Sequence, residues 1–201
     1  DVAGLMKLMG GKDAFTARLD TFFTTSPCEH GYKYVGTVGT IGQYVHGNQP
    51  SHHISYFYSY AGQPWKTQYY TRYICDHLYK TGAGGLCGNE DMGSLSSWYI
   101  FSSTGFYPVT PGSNYYVLTA PVFDKVTIQL PQKKTFTVLA KNNQKKNVYI
   151  QSVRLNGKAI SRTWISHQEI MDGGTLEFEM GQTPNKTWGC QPNDVPPGTI
   201  Q

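Results

Sequence analysis

The change of pattern at Pro108 constrains this chain more than any other feature. Before it, apolar residues recur at helical spacing between glycine-rich breaks; after it, short β-rich runs alternate with turn residues. A single switch of this kind predicts an α+β fold: a helical segment followed by a C-terminal antiparallel β region. Val2 to Met9 reads as a short apolar segment stopped by Gly10-Gly11. Asp13 is placed to cap a helix over 14–23, where Phe15, Leu19, Phe22 and Phe23 share a face. A third helix is expected after Pro50, with Ile54, Phe57 and Tyr58 on one side. Gly62-Gln63-Pro64 reads as a turn. A fourth helix starts at Pro64, with one row through Trp65, Tyr69 and Tyr73 and another through Tyr70, Ile74 and Leu78. A fifth carries Leu95, Trp98, Tyr99 and Phe101 to a stop at Gly105. Residues 24–47 and 81–92 read as long loops, which in compact domains are usually functional or disordered.

Beyond Pro108, strands are expected over 115–119, 125–130, 135–140, 147–155 and 175–180. Val126, Ile128 and Leu130 alternate, as do Val148, Ile150 and Ser152, and Asn156-Gly157 signals a hairpin. The tail from Cys190, with Pro192, Pro196 and Pro197, reads as an extended arm. The chain thus divides into 1–112 (helical), 113–189 (β) and 190–201 (tail).

Composition narrows the function classes. Hydrophobic residues make up 39% of the 201 and charged residues 15%, a balance that supports a packed core rather than disorder. The 15 tyrosines favour surfaces that meet flat, polar ligands such as sugar rings. No run approaches the roughly 18 apolar residues of a membrane span. The net charge of +4 comes from lysines and arginines scattered through the second half, a solubility pattern with no nucleic-acid patch. Cys28, Cys75, Cys87 and Cys190 include no CxxC pair, which argues against a zinc ribbon or thioredoxin motif; one bridge or free thiols remain. Asp1-Val2-Ala3-Gly4 is neither an initiator Met nor a signal peptide, so a piece of a longer protein is expected.

Polar residues concentrate at two loop-to-helix junctions. The first runs His46-Gly47-Asn48-Gln49-Pro50-Ser51-His52-His53, the second Gly88-Asn89-Glu90-Asp91-Met92-Gly93. Adjacent His52 and His53 point to different faces, unlike an i, i+4 zinc pair. An Asn or Ser before a helix, or paired carboxylates at its start, is most often an ordinary cap or a dipole-favoured turn. Carboxylate and amide oxygens together also make the ligand set of a hard cation such as Ca²⁺, provided the two junctions meet in space.

These motifs carry a resemblance. Residues 42–53 (Gly42-Gln43-Tyr44-Val45-His46-Gly47-Asn48-Gln49-Pro50-Ser51-His52-His53), then Tyr60-Ala61-Gly62-Gln63-Pro64-Trp65, then Gly88-Asn89-Glu90-Asp91-Met92-Gly93 with Ser94-Leu95-Ser96-Ser97-Trp98-Tyr99, resemble glycoside hydrolase family 92. Met6-Lys7-Leu8-Met9-Gly10-Gly11 and Gly105-Phe106-Tyr107-Pro108-Val109-Thr110-Pro111-Gly112 fit the same family. The resemblance is strong over roughly residues 1–130 and looser beyond.

The resemblance implies a calcium-dependent, inverting exo-α-mannosidase acting on mannosides of N-glycans or mannans, α-1,2 linkages foremost, from a periplasmic, cell-surface or secreted bacterial parent. It implies that this chain is the last part of an (α/α)6 toroid plus trailing strands. The family's acid glutamate motif has no match here and is expected in a missing N-terminal part of the same enzyme. It further implies Asp91 as general base with Glu90 supporting or competing, substrate contacts from His46, Gly47, Ser51, His52 and His53, and Ca²⁺ ligands in Asn48, Gln49 and Asp91. Gln49 stands where some members carry Glu, which would lower the ligand charge. A half-toroid is also expected to expose Phe15, Leu19, Phe57 and Tyr69. The reading from a different class is a non-catalytic carbohydrate-binding or scaffold module.

Overall fold

The structure is a computed structural model and describes residues 1–26 and 38–198. It opens with α1 (Val2–Leu8) and α2 (Lys12–Thr24). A two-residue hairpin follows, β1 (Thr40–Ile41) against β2 (Tyr44–Val45), inside the stretch expected to be loop; Pro27 to Thr37 lie outside the described residues. Next come 3-10 turns at Gln49–Ser51 and Ile54–Tyr56, then α3 (Phe57–Tyr60), α4 (Pro64–His77) and α5 (Ser94–Thr104). The β part comprises β3 (Phe106–Tyr107), β4 (Tyr115–Leu118), β5 (Lys125–Gln129), β6 (Thr135–Lys141), β7 (Tyr149–Leu155), β8 (Lys158–Ile160), β9 (Trp164–Ser166), α6 (His167–Met171) and β10 (Gly174–Gly181).

The α+β reading holds, with one refinement. A five-stranded sheet has the order β5-β6-β10-β7-β8, and a three-stranded one the order β3-β4-β9. Every pairing is antiparallel except β6–β10, which is parallel. Asn156 and Gly157, both at positive φ, make the expected two-residue hairpin turn between β7 and β8. The alternation expected through Val148, Ile150 and Ser152 breaks. Met180 pairs with Ile150 but Glu179 with Ser152, so Gln151 is an extra residue in β7. That bulge turns Ile150 and Val153 both to the core and leaves Ser152 exposed.

Three helical expectations change. The second helix begins at Lys12 with Gly11 as its cap, and Asp13 sits in the first turn, where its charge suits the helix dipole. The third is broken into 3-10 turns and one α turn. Ser55 to Gly62 are buried all round, so tertiary contacts, not one amphipathic face, set its conformation. In α4 the row through Trp65, Tyr69 and Tyr73 faces outward, and a polar face turns in. Gln68 Oε1 accepts from the Ile150 N–H at 2.9 Å, Arg72 Nη1 donates to the Pro121 carbonyl at 2.8 Å, and Thr71 bonds the Thr119 hydroxyl. These side chains pair with buried polar groups of the β part, the Ile150 N–H of β7, the Pro121 carbonyl and the Thr119 hydroxyl, that burial would otherwise leave without partners.

The expected exposed apolar face is corrected in the same way. Phe15, Leu19 and Phe57 are 2%, 6% and 8% exposed; of the four residues only Tyr69, at 44%, faces solvent. Helices α1 and α2 pack on α3 and the turns before it, and this cluster reaches Val109 and Val117. A second cluster fills the sheets, from Phe106 and Leu118 to Phe178 and Trp188. The tail is pinned back: Thr163 N–H donates to the Asp194 carbonyl at 2.7 Å, and the Tyr115 hydroxyl to that of Pro197 at 2.5 Å. Cys75, Cys87 and Cys190 are unbridged; Cys28 lies outside the described residues. Among the described residues no helix is long and apolar enough to cross a membrane.

Candidate functional site

The two junctions meet. The Gln49 side-chain amide donates to the Asn89 carbonyl at 2.7 Å. Beneath that bond the backbones touch through glycine: a Cβ on Gly88 would lie 2.4 Å from the Gly47 carbonyl oxygen, and one on Gly47 would lie 2.7 Å from that of Cys87. Only residues without a side chain allow this approach. Gly47 N–H also donates to Val38, and His46 N–H to Gly39, which ties the first junction to the β1–β2 hairpin.

The carboxylates of the second junction are differently placed. Glu90 is partly buried; its Oε1 accepts from the Ser96 N–H at 3.1 Å and so satisfies a free donor in the first turn of α5. Its Oε2 is buried without a hydrogen-bond partner. Asp91 is exposed. Asp91, Met92 and Gly93 follow one another at φ 38°, 59° and 80°, a left-handed run that lifts Asp91 away from the helix it precedes. Such backbone is costly for two non-glycine residues in succession and gathers at functional sites.

The histidines divide by role. His46 is fully enclosed, with Nδ1 2.8 Å from the Tyr44 hydroxyl and Nε2 2.7 Å from that of Tyr79. The Tyr79 hydroxyl also reaches the Leu95 carbonyl at 3.0 Å. A carbonyl only accepts and a phenol has one hydrogen, so Tyr79 donates to Leu95 and accepts from His46 Nε2–H. Nδ1 is then bare and accepts from Tyr44. Burial, with a smaller push from His52, takes the His46 imidazole down to about 3, so the ring is neutral at ordinary pH. His52 is also buried; its Nε2–H donates to the His46 carbonyl at 3.1 Å, and its own carbonyl accepts from Trp98 Nε1 at 3.1 Å. Burial lowers its pKa, partly offset by that bond. His53 turns the other way, edge-on to Phe57, into a cleft shared with Val2, Leu5 and Thr110. The structure therefore brings Gly47 and Gln49 against Gly88 and Asn89, just before the Glu90–Asp91 turn, with exposed Asn48 and half-buried Ser51 on the same loop. It places His46 and His52 in the support beneath and His53 on another face.

Sequence reasoning missed Tyr44 and Tyr79 altogether and took Trp98 only as a helix-face residue. Tyr44 lies two residues from His46, a signal within reach. Tyr79 is 33 residues away from its partner, and no local spacing announces the bond.

Among the described residues no three His, Cys, Asp or Glu side chains gather around a common point. The donors present are oxygens: the Asp91 carboxylate, the unpartnered Glu90 Oε2 and the amide oxygens of Asn48 and Gln49. That chemistry fits a hard cation such as Ca²⁺ and not zinc, and these side chains would need further ligands to complete its shell.

Comparison with known proteins agrees with this picture. Residues 1–182 match the family described as Glycosyl hydrolase family 92 catalytic domain. An uncharacterized secreted glycosidase from Arthroderma benhamiae is 36% identical over 98% of this chain and 24% of its own length. A family GH92 alpha-mannosidase from Bacteroides thetaiotaomicron, solved in complex with mannoimidazole, superposes with a TM-score of 0.93 at 36% identity, over 98% of this chain and 26% of that one. A Family GH92 Inverting Mannosidase from the same organism gives 0.85 at 44% identity, over 98% and 28%. The chain thus spans about a quarter of the length of these relatives, which come from a fungus as well as from bacteria.

Proposed function

The chain belongs to glycosyl hydrolase family 92, and on that premise we propose that its two junction loops form the base side of an inverting exo-α-mannosidase site. The observation that carries this reading is the meeting of Gly47 and Gln49 with Gly88 and Asn89, the residues that lead directly into the strained Asp91–Gly93 turn. The mannosidase relatives, one of them named as inverting, support mannose-terminated oligosaccharide as the substrate class. The secreted relative supports action outside the cell.

Inversion needs a base and an acid with a water between the base and the anomeric carbon, the two carboxyl groups roughly 6.5–9.5 Å apart. Asp91, exposed and free of the capping role, takes the proton from that water as its oxygen bonds to C1. The glycosidic C–O bond breaks on the other side, and the departing oxygen receives a proton from an acid outside residues 1–201. Glu90 holds the turn through Ser96, and its second oxygen, Oε2, is buried without a partner. Asn48, Gln49 and Asp91 would hold Ca²⁺, which when bound supplies charge to grip sugar hydroxyls and favour ring distortion.

Chelation tests the metal part. In the whole gene product, excess chelator is expected to abolish hydrolysis of an aryl α-mannoside, with Ca²⁺ and not Zn²⁺ restoring it. Full activity in chelator, with no metal in the purified protein, would remove calcium from the account.

A further inference from the structure

We infer that Tyr79 is a positioning residue, whose single hydroxyl sets the spacing between the loop that holds the sugar and the turn that carries the base. This rests on the functional reading above. Tyr79 follows the last turn of α4, a helix anchored to the sheets through Gln68, Thr71 and Arg72. Its ring lies parallel to Trp98, at 2° between planes, and packs on Tyr99. From this fixed platform its oxygen makes two bonds in opposite directions. One, at 2.7 Å, goes to His46, the residue before Gly47-Asn48-Gln49. The other, at 3.0 Å, goes to the carbonyl of Leu95, in the first turn of the helix that Glu90 caps.

Each loop is otherwise held from its own side. The first hangs on the β1–β2 hairpin and the second on the start of α5. Their direct contacts include the Gln49–Asn89 bond and the touching glycines, and between their buried ends the bond from Trp98 Nε1 to the His52 carbonyl at 3.1 Å. Tyr79 also joins those buried ends. Because the Tyr79 hydrogen goes to the Leu95 carbonyl, its oxygen accepts from His46 Nε2–H, and Nδ1 is left to accept from Tyr44. Without the hydroxyl, His46 Nε2–H faces a hydrocarbon ring edge, and the sugar-holding loop can shift relative to Asp91. A displacement near 1 Å at a reacting centre costs on the order of 100-fold in rate.

The test is Tyr79→Phe in the whole gene product, with Tyr99→Phe as a neighbouring control. Assayed well below the melting temperature on an aryl α-mannoside, Tyr79→Phe is expected to lower kcat by about 10–100-fold. KM should stay within about threefold, since the sugar contacts themselves are untouched. Tyr99→Phe should retain near wild-type kcat. Hydrogen exchange gives a readout independent of activity. The bonded amides Gly47 and Ser51 on one loop and Ser94 and Ser96 on the other should exchange faster together, by tenfold or more, with strands β6 and β10 unchanged. A kcat within twofold of wild type overturns the inference. So does faster exchange at one loop alone, at neither, or uniformly through the sheet, the last marking a merely structural role. An inactive wild-type protein would defeat the functional reading instead, and loop exchange would still decide whether Tyr79 joins the two loops.

Discussion

Asp91→Asn in the whole gene product is expected to lower kcat for α-mannoside hydrolysis by about 10²–10⁴ and to leave the melting temperature nearly unchanged. The size of the loss follows from removing the proton acceptor while keeping shape and hydrogen-bonding capacity. The unchanged stability follows from the structure. Asp91 is exposed, and the capping bond to α5 comes from its neighbour Glu90. Asn also tolerates the left-handed backbone at this position, φ 38°, as well as any residue other than glycine. Glu90→Gln behaves in the opposite way. It weakens a charge-assisted bond at a helix start, which costs about 0.5–2 kcal/mol, and its effect on kcat is the smaller of the two. Thermal melts and steady-state kinetics on the two variants separate the roles. A dead Glu90→Gln beside an active Asp91→Asn would exchange the assignments within the pair.

Gly88→Ala is expected to damage stability and activity together. Its Cβ would stand 2.4 Å from the Gly47 carbonyl oxygen and 2.6 Å from the Gly47 Cα, and both are backbone atoms that cannot rotate away. Relief requires the two loops to part by about an ångström. Overpacking of this kind costs roughly 1–3 kcal/mol, or about 2–10 °C in a chain of this size. The same parting pulls Gln49 from Asn89 and moves the sugar-holding loop away from Asp91, for an activity loss on the order of 100-fold. Gly47→Ala would press on the Cys87 carbonyl of the same loop at 2.7 Å as well as on Val38, and the shared part of the strain should make the double variant cost less than the sum of the two. Normal activity in Gly88→Ala would show that the touching backbones are not needed for the site.

Much of this was legible in the sequence. The switch at Pro108, the strand runs, the Asn156-Gly157 hairpin and both junctions stand where the pattern put them. What escaped was long-range. The inward polar face of α4 looked like the solvent side of an amphipathic helix, because its partners are two backbone groups and a threonine hydroxyl 48 to 82 residues away. The bulge at Gln151 shows in β7 only as two polar residues, Gln151 and Ser152, between Ile150 and Val153, and it takes the register with β10 to identify it. At the site, the family resemblance implied hydrolytic chemistry, but the division of labour did not show. His46 and His52 read as sugar contacts and fold as enclosed supports. Asp91 is expected as base with Glu90 supporting or competing, and the left-handed turn separates the two, Glu90 into the helix cap and Asp91 into solvent.

The central claim is that these loops belong to a site that hydrolyses α-mannosides with inversion. The most direct measurement is proton NMR of the anomeric signals during the first turnovers of the whole gene product on an α-linked mannoside. The account predicts β-mannose first, with the α-anomer growing only as the sugar mutarotates. Initial release of α-mannose, or no hydrolysis of α-mannosides with Ca²⁺ present, would contradict it.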